Sequence, residues 1–155
     1  AQPVPLMIAA VVDNMKRAAE SRGTRAAEVA AVRRALEIGY RVFDSAEMYG
    51  EGGAEQVLGQ ALGAAIRAGD VRRDELHVVS KVYPHNASRA GVRAACDRSR
   101  KRLALDRIDL YLLHWRGSHP LAHTVAGFAE LVDEGAIVSW ATTSATLLRA
   151  VQLGD

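Results

Sequence analysis

Asp44, Tyr49, Lys81 and His114 are ionisable residues of different types, and each falls at or just after the end of a short apolar run. RVFD ends at Asp44, with Tyr49 one turn of chain further on. HVVSK ends at Lys81 and DLYLLH at His114. A tyrosine hydroxyl has a reference pKa of roughly 10, so alone it is a poor acid at neutral pH; an ammonium beside such a group favours its phenolate. A carboxylate paired to the ammonium keeps it charged and fixes its position, and an imidazole nearby can donate a hydrogen bond to a substrate oxygen. Together these groups suit adding or removing a proton at a carbonyl or alcohol oxygen, with polar groups placed where negative charge develops. The set needs no metal and offers no good nucleophile, which argues against acyl transfer. Taken singly, Asp44 reads as a helix cap or turn residue, Lys81 as a solvated rim charge, and His114 equally as a hydrogen-bonded structural histidine. Their joint occurrence favours chemistry.

The elements that must position them follow from the hydrophobic pattern. Val42-Phe43, Val78-Val79 and Leu110 to Leu113 read as buried parallel strands, each followed by a helical pattern. Strands of successive βα units point the same way, so their last residues gather at the face where barrels and open α/β sheets place their chemistry. Val4–Val12 is predicted as a first strand, though its composition also allows a buried helical turn. Thr24 is a candidate cap for a helix carrying Val29, Val32 and Leu36 and stopping at Gly39. AEMYGEGG opens a helix with an apolar stripe of Val57, Leu58, Leu62 and Ile66; YPHN forms a loop, and Ser88 caps the next helix. DLYLLH reads as a strand buried on both faces. A helix from about Leu121 to Glu134 closes at Gly135, Ile137 to Ala141 forms a fifth strand, and a further helix begins at Ala145. No GxGxxG follows any strand, and AEMYGEGG has neither the spacing nor the lysine of a P-loop. The barrel therefore gains over the dinucleotide-binding doubly wound sheet.

Composition bounds the rest. The 155 residues suffice for one ordinary domain, and 49% hydrophobic with 25% charged residues is the balance of a soluble globular protein. Twenty Lys and Arg against 18 Asp and Glu leave a net charge of +2, too small an excess to argue for nucleic acid. The basic run Arg98 to Arg102 reads as a solvated helix face. The single cysteine, Cys96, reads as a small buried hydrophobe and suits a reducing cytosol. Val4–Val12 is too short to span a bilayer and has no basic residues ahead of it, so the expectation is a cytoplasmic chain with no membrane partner. His119 and His123 stand four apart, as helical metal ligands can, but Pro120 lies between them and no third ligand is near; no metal is expected. His77 and His85 read as surface or loop residues.

GYRVFDSAEMYG, VVSKVYP, RIDLYLLHW and EGAIVSW resemble, in that order, signatures of the aldo-keto reductases. The resemblance runs from about Val29 to Ser144. It implies a (β/α)8 TIM barrel and NADP(H)-dependent reduction of small aldehydes or ketones to alcohols. It also implies Asp44, the proton-donating Tyr49, Lys81 and His114 as the catalytic set. Thr143 and Ser144 are implied at the nicotinamide, and Met48, Tyr83 and Trp115 around a small carbonyl substrate. AEMYG, SKVYPHNAS and LLHWRGS are similar to a bacterial branch that includes reducers of methylglyoxal.

The sequence departs from the family in three places. A glycine-rich opening strand is replaced by Ile8, Ala9, Ala10, Val11 and Val12, which would crowd backbone that comes close to the cofactor. A GVSN segment reads Ala141-Thr142-Thr143-Ser144, which keeps a hydroxyl and loses the amide. The strands that in the family carry the ring stacked on the nicotinamide and the basic residues at the 2′-phosphate are not in the sequence. The expected architecture is therefore a single incomplete α/β domain over 1–155, a partial barrel of about five βα units stopping before the last strands. Open sheet edges suggest a piece of a longer protein, a homodimer that covers its edges mutually, or a decayed copy. The rival functional expectation is a catalytically silent barrel fragment acting as a structural or interaction module.

Overall fold

The computed structural model describes residues 24–142. The strand expected over Val4–Val12, the expected cofactor residues Thr143 and Ser144, and the helix expected from Ala145 lie outside the described residues.

Runs rich in Val, Ile and Leu form four parallel strands, β1 (Val42–Asp44), β2 (His77–Val82), β3 (Ile108–Leu113) and β4 (Ile137–Thr142). They alternate with α1 (Thr24–Glu37), α2 (Gly53–Ala68), α3 (Arg89–Leu103) and α4 (Leu121–Asp133). The strands lie in chain order, β1-β2-β3-β4, and each helix packs on the next. A doubly wound sheet reverses its strand order and carries helices on both faces. A sheet that never reverses, backed by one consecutive layer of helices, is wound as a barrel is.

The core lies between that layer and the sheet. Phe43, Val78, Val82, Tyr111, Leu113 and Ile137 meet Leu62 of α2, Val92 and Cys96 of α3, and Phe128 and Leu131 of α4, all buried. Phe128 lies edge-on to Tyr111, centroids 5.8 Å apart, and stacks on Trp140 at 5.3 Å. Burial pushes the Tyr111 hydroxyl well above the ordinary tyrosine range and the Cys96 thiol up to about 12, so both stay protonated at neutral pH. Cys96 is thus a buried apolar group rather than a nucleophile.

The Ser88 start signal and the Gly39 and Gly135 stops act where the pattern places them, whereas α1 already includes Thr24. The Ser88 hydroxyl accepts from the Gly91 amide at 3.0 Å at the start of α3, and Gly39 and Gly135 follow α1 and α4 with φ of 100° and 72°. The YPHN segment forms a single 3-10 turn, Pro84–Asn86. Among the described residues DLYLLH is fully buried on one face only. Tyr111 and Leu113 face the helices and are buried, whereas Leu110 and Leu112 point the other way and are half-buried. The described helices cover one face of the sheet only.

Candidate active site

Parallel pairing aligns Asp44 with Val79, and Lys81 with Leu112, on the sheet face turned from the helices. Lys81 is 5% exposed, so its ammonium must be paired. Its Nζ donates to Asp44 Oδ1 and, at 2.9 Å, to the backbone carbonyl of Ser45. A strand end thus supplies the carboxylate, and the next residue supplies a second acceptor from its main chain.

Beyond β1 the chain turns tightly. The Tyr49 amide donates to the Ala46 carbonyl at 3.1 Å, and a 3-10 turn, Tyr49–Gly52, leads into α2. The turn brings the Tyr49 ring over the ammonium, with Lys81 Nζ 5.1 Å from the ring centroid. Gly52 closes the turn at φ 89°, and a Cβ there would meet Arg102 Nε at 2.5 Å, so the position demands glycine.

His114 follows β3, and its amide donates to the Val82 carbonyl at 3.1 Å, carrying the ladder one residue past the strand. Its imidazole lies edge-on to Tyr49, with centroids 5.6 Å apart and planes at 85°. Burial, aided by the Lys81 charge and opposed by Asp44, lowers its pKa from the ordinary 6.5. The imidazole is therefore neutral at neutral pH and can donate an N–H without carrying charge. Asp44, Lys81, Tyr49 and His114 thus form one cluster from the ends of three adjacent strands.

Tyr83 and Trp115 also come together, edge to face at 5.2 Å, and Trp115 lies over His114 at 4.6 Å. Met48 is half-buried in the loop that presents Tyr49. Two loops therefore furnish an aromatic wall beside the cluster, and a third furnishes Met48.

Several supporting residues escaped the sequence reading. Glu47 is buried between Asp44 and Tyr49, and Arg98 Nη2 donates to its Oε2 at 3.2 Å. Glu55, fully buried on α2, accepts from Ser80 Oγ and from Arg102 Nε, each at 2.6 Å. Ser80 precedes Lys81, so this pair braces the strand that carries the ammonium. Their signal was present as three carboxylates inside AEMYGEGGAE, of which Glu47 and Glu55 become buried and so require donors while Glu51 stays exposed. The reading of Arg98 to Arg102 as a solvated face is corrected in part: Ser99 is buried and Arg102 turns inward to Glu55, whereas Arg98 stays exposed and reaches Glu47 from the surface. The α4 helix begins only at Leu121, so His119 and His123 share no helix face; His119 Nε2 instead lies 3.1 Å from the His85 carbonyl. Among the described residues no group of three or more His, Cys, Asp or Glu is placed to hold a metal.

The sequence pattern of the Aldo/keto reductase family matches residues 15–153. The chain belongs to this family. Methylglyoxal reductase YeaE of Escherichia coli K12 is 42% identical over 125 residues, which are 81% of this chain and 42% of that protein. The NADPH-dependent D-xylose reductase of Meyerozyma guilliermondii is 38% identical over 65% of this chain and 30% of its own length. A crystal structure of an aldo-keto reductase from Klebsiella pneumoniae in complex with NADPH superposes with a TM-score of 0.72 at 45% identity, over 83% of this chain and 43% of that one. The chain thus spans less than half the length of these aldo/keto reductase relatives. Its described strands form part of the (β/α)8 barrel. Among the described residues no helix is long and apolar enough to cross a membrane.

Proposed function

We propose that the chain carries the proton-transfer half of an NADP(H)-dependent carbonyl reductase acting on small aldehydes or ketones, with methylglyoxal as a representative substrate. The observation that carries this reading is the convergence of Tyr49, the Lys81–Asp44 pair and His114 at adjacent strand ends. The donor set fits a nicotinamide cofactor, because it offers a proton and an electropositive surround but no hydride and no nucleophile of its own. When bound, reduced nicotinamide supplies the hydride that the carbonyl carbon accepts. Thr143 and Ser144, just past β4, are the residues proposed to hold the nicotinamide amide.

In this reading Tyr49 gives its hydroxyl proton to the carbonyl oxygen as the C=O bond becomes a C–O single bond, yielding the alcohol. Lys81 offsets the charge left on the phenolate, and Asp44 holds that ammonium in place and keeps the local charge balanced. Solvent then returns a proton to Tyr49. His114, neutral, donates a hydrogen bond to the substrate oxygen and orients it. Tyr83, Trp115 and Met48 form the walls that exclude water from a small carbonyl. The E. coli relative's name supports the substrate class and the Klebsiella complex supports the cofactor.

The test is titration of the folded protein with NADPH, followed by its tryptophan fluorescence. Saturable binding at micromolar cofactor is expected. A folded chain that binds no NADPH would overturn the reading in favour of a catalytically silent barrel module.

A further inference from the structure

Glu47 occupies an unusual place. It lies two residues before Tyr49, its side chain is 7% exposed, and its carboxylate contacts two other elements. Oε1 accepts from the Tyr83 amide at 2.6 Å and from Asn86 Nδ2 at 2.9 Å, while Oε2 accepts from Arg98 of α3 at 3.2 Å. The Glu47 amide donates to the Lys81 carbonyl at 3.2 Å. One residue therefore grips both the strand end that carries the ammonium and the loop that carries an aromatic wall.

That loop is held from its other side as well. A Cβ on Gly117 would stand 2.7 Å from Pro84 Cβ, so the loop after β3 packs flush against the loop after β2. His119 Nε2 reaches the His85 carbonyl across the same seam. Tyr83 then transmits its position to Trp115 through their edge contact, and Trp115 to His114. The β1 side of this wall is held by Glu47. Burying a carboxylate is costly unless donors surround it, and here they do, so the contact is both strong and fixed in direction.

We propose that Glu47 is a positioning residue that sets the width of the substrate cleft by holding Tyr83 and Trp115 at a fixed distance from the Met48-Tyr49 segment. Its carboxylate oxygens are taken up by Tyr83, Asn86 and Arg98, so it acts through them. The inference rests on the carbonyl-reductase reading for its consequence, which is selection of small carbonyls over bulky ones. Glutamine keeps an acceptor oxygen for the Tyr83 and Asn86 donors. Aspartate is one methylene too short to reach them from the same backbone.

The experiment compares wild type with Glu47→Gln, Glu47→Asp and Glu47→Ala. It follows amide exchange at Tyr83 and at the remote Val78 by NMR, and kcat/KM for methylglyoxal against a bulky aromatic aldehyde. In Glu47→Asp and Glu47→Ala, the Tyr83 amide should exchange about 10- to 100-fold faster with Val78 unchanged, as expected for loss of one charge-assisted bond. The preference for the small aldehyde should fall in the same variants, through KM for methylglyoxal more than kcat. Glu47→Gln should fall between wild type and Glu47→Asp in both readouts, because its oxygen keeps the bonds to Tyr83 and Asn86 while the charge and the bond from Arg98 are lost. Equal acceleration at Val78 and Tyr83, or an unchanged Tyr83 rate in Glu47→Asp, overturns the proposal. An unchanged size preference with faster Tyr83 exchange overturns it also. If Glu47→Ala does not fold, the aspartate and glutamine variants decide. Absence of any carbonyl reduction by wild type instead overturns the reductase reading, and exchange at Tyr83 alone then decides the positioning role.

Discussion

The fold alters the protonation of the His114 imidazole. Burial and the Lys81 charge lower its pKa below the ordinary 6.5, against a smaller opposing effect of Asp44. As pH falls, the unfolded chain therefore takes up this proton first. The stability tied to the neutral ring is complete above about pH 6.5 and is lost as pH falls below it toward the depressed folded value. Urea unfolding at about pH 7.5 and about pH 5.5 should show stability falling on acidification, and His114→Asn should remove part of that fall. An unchanged pH dependence in the variant would contradict the neutral imidazole and, with it, the role of His114 as an uncharged donor.

At the scale of elements, β2 carries both the ammonium and its brace. Lys81 faces the cluster while Ser80, one residue earlier, faces the helices and donates to Glu55. Glu55 is fully buried, and Arg102 from the end of α3 completes its pairing. Removing one member of such a pair leaves the other desolvated without a partner. Glu55→Ala should cost about 3–5 kcal/mol in denaturant unfolding. A loss below about 1 kcal/mol would show that water replaces the carboxylate and that the brace is dispensable. The close seat of α2 on α3 adds a second constraint, since a Cβ at Gly59 would stand 2.5 Å from the Arg102 carbonyl. Strand ends, the Ser88 cap and the stop glycines were legible because they depend on local pattern. The partners of Glu47 and Glu55 were not, because the donors Tyr83, Arg98 and Arg102 lie dozens of residues away and only packing reveals which arginines reach a buried carboxylate. Arg98 to Arg102 looked like a solvated face for the same reason.

For the whole molecule, the order β1-β2-β3-β4 with one layer of helices decides between the two α/β architectures that the alternating pattern allowed. Periodicity alone could not separate them, since both use the same βα unit; the missing glycine fingerprint favoured the barrel, and the strand order agrees. The half-buried Leu110 and Leu112 follow from the same arrangement, because a sequence run shows apolar character but not how many faces are covered. The four chemical residues were legible as strand-terminal groups, yet their mutual distances depend on register between β1, β2 and β3, which no local signal carries. In the proposed reaction that convergence makes Tyr49 the proton donor to the carbonyl oxygen. NADPH oxidation in the presence of methylglyoxal, measured for wild type and Tyr49→Phe at saturating cofactor, tests it most directly. The phenylalanine keeps the ring over Lys81 and removes only the proton, so kcat should fall about 10²- to 10⁴-fold with NADPH affinity retained. A Tyr49→Phe protein that reduces methylglyoxal at the wild-type rate would contradict the assignment of Tyr49 as the proton donor.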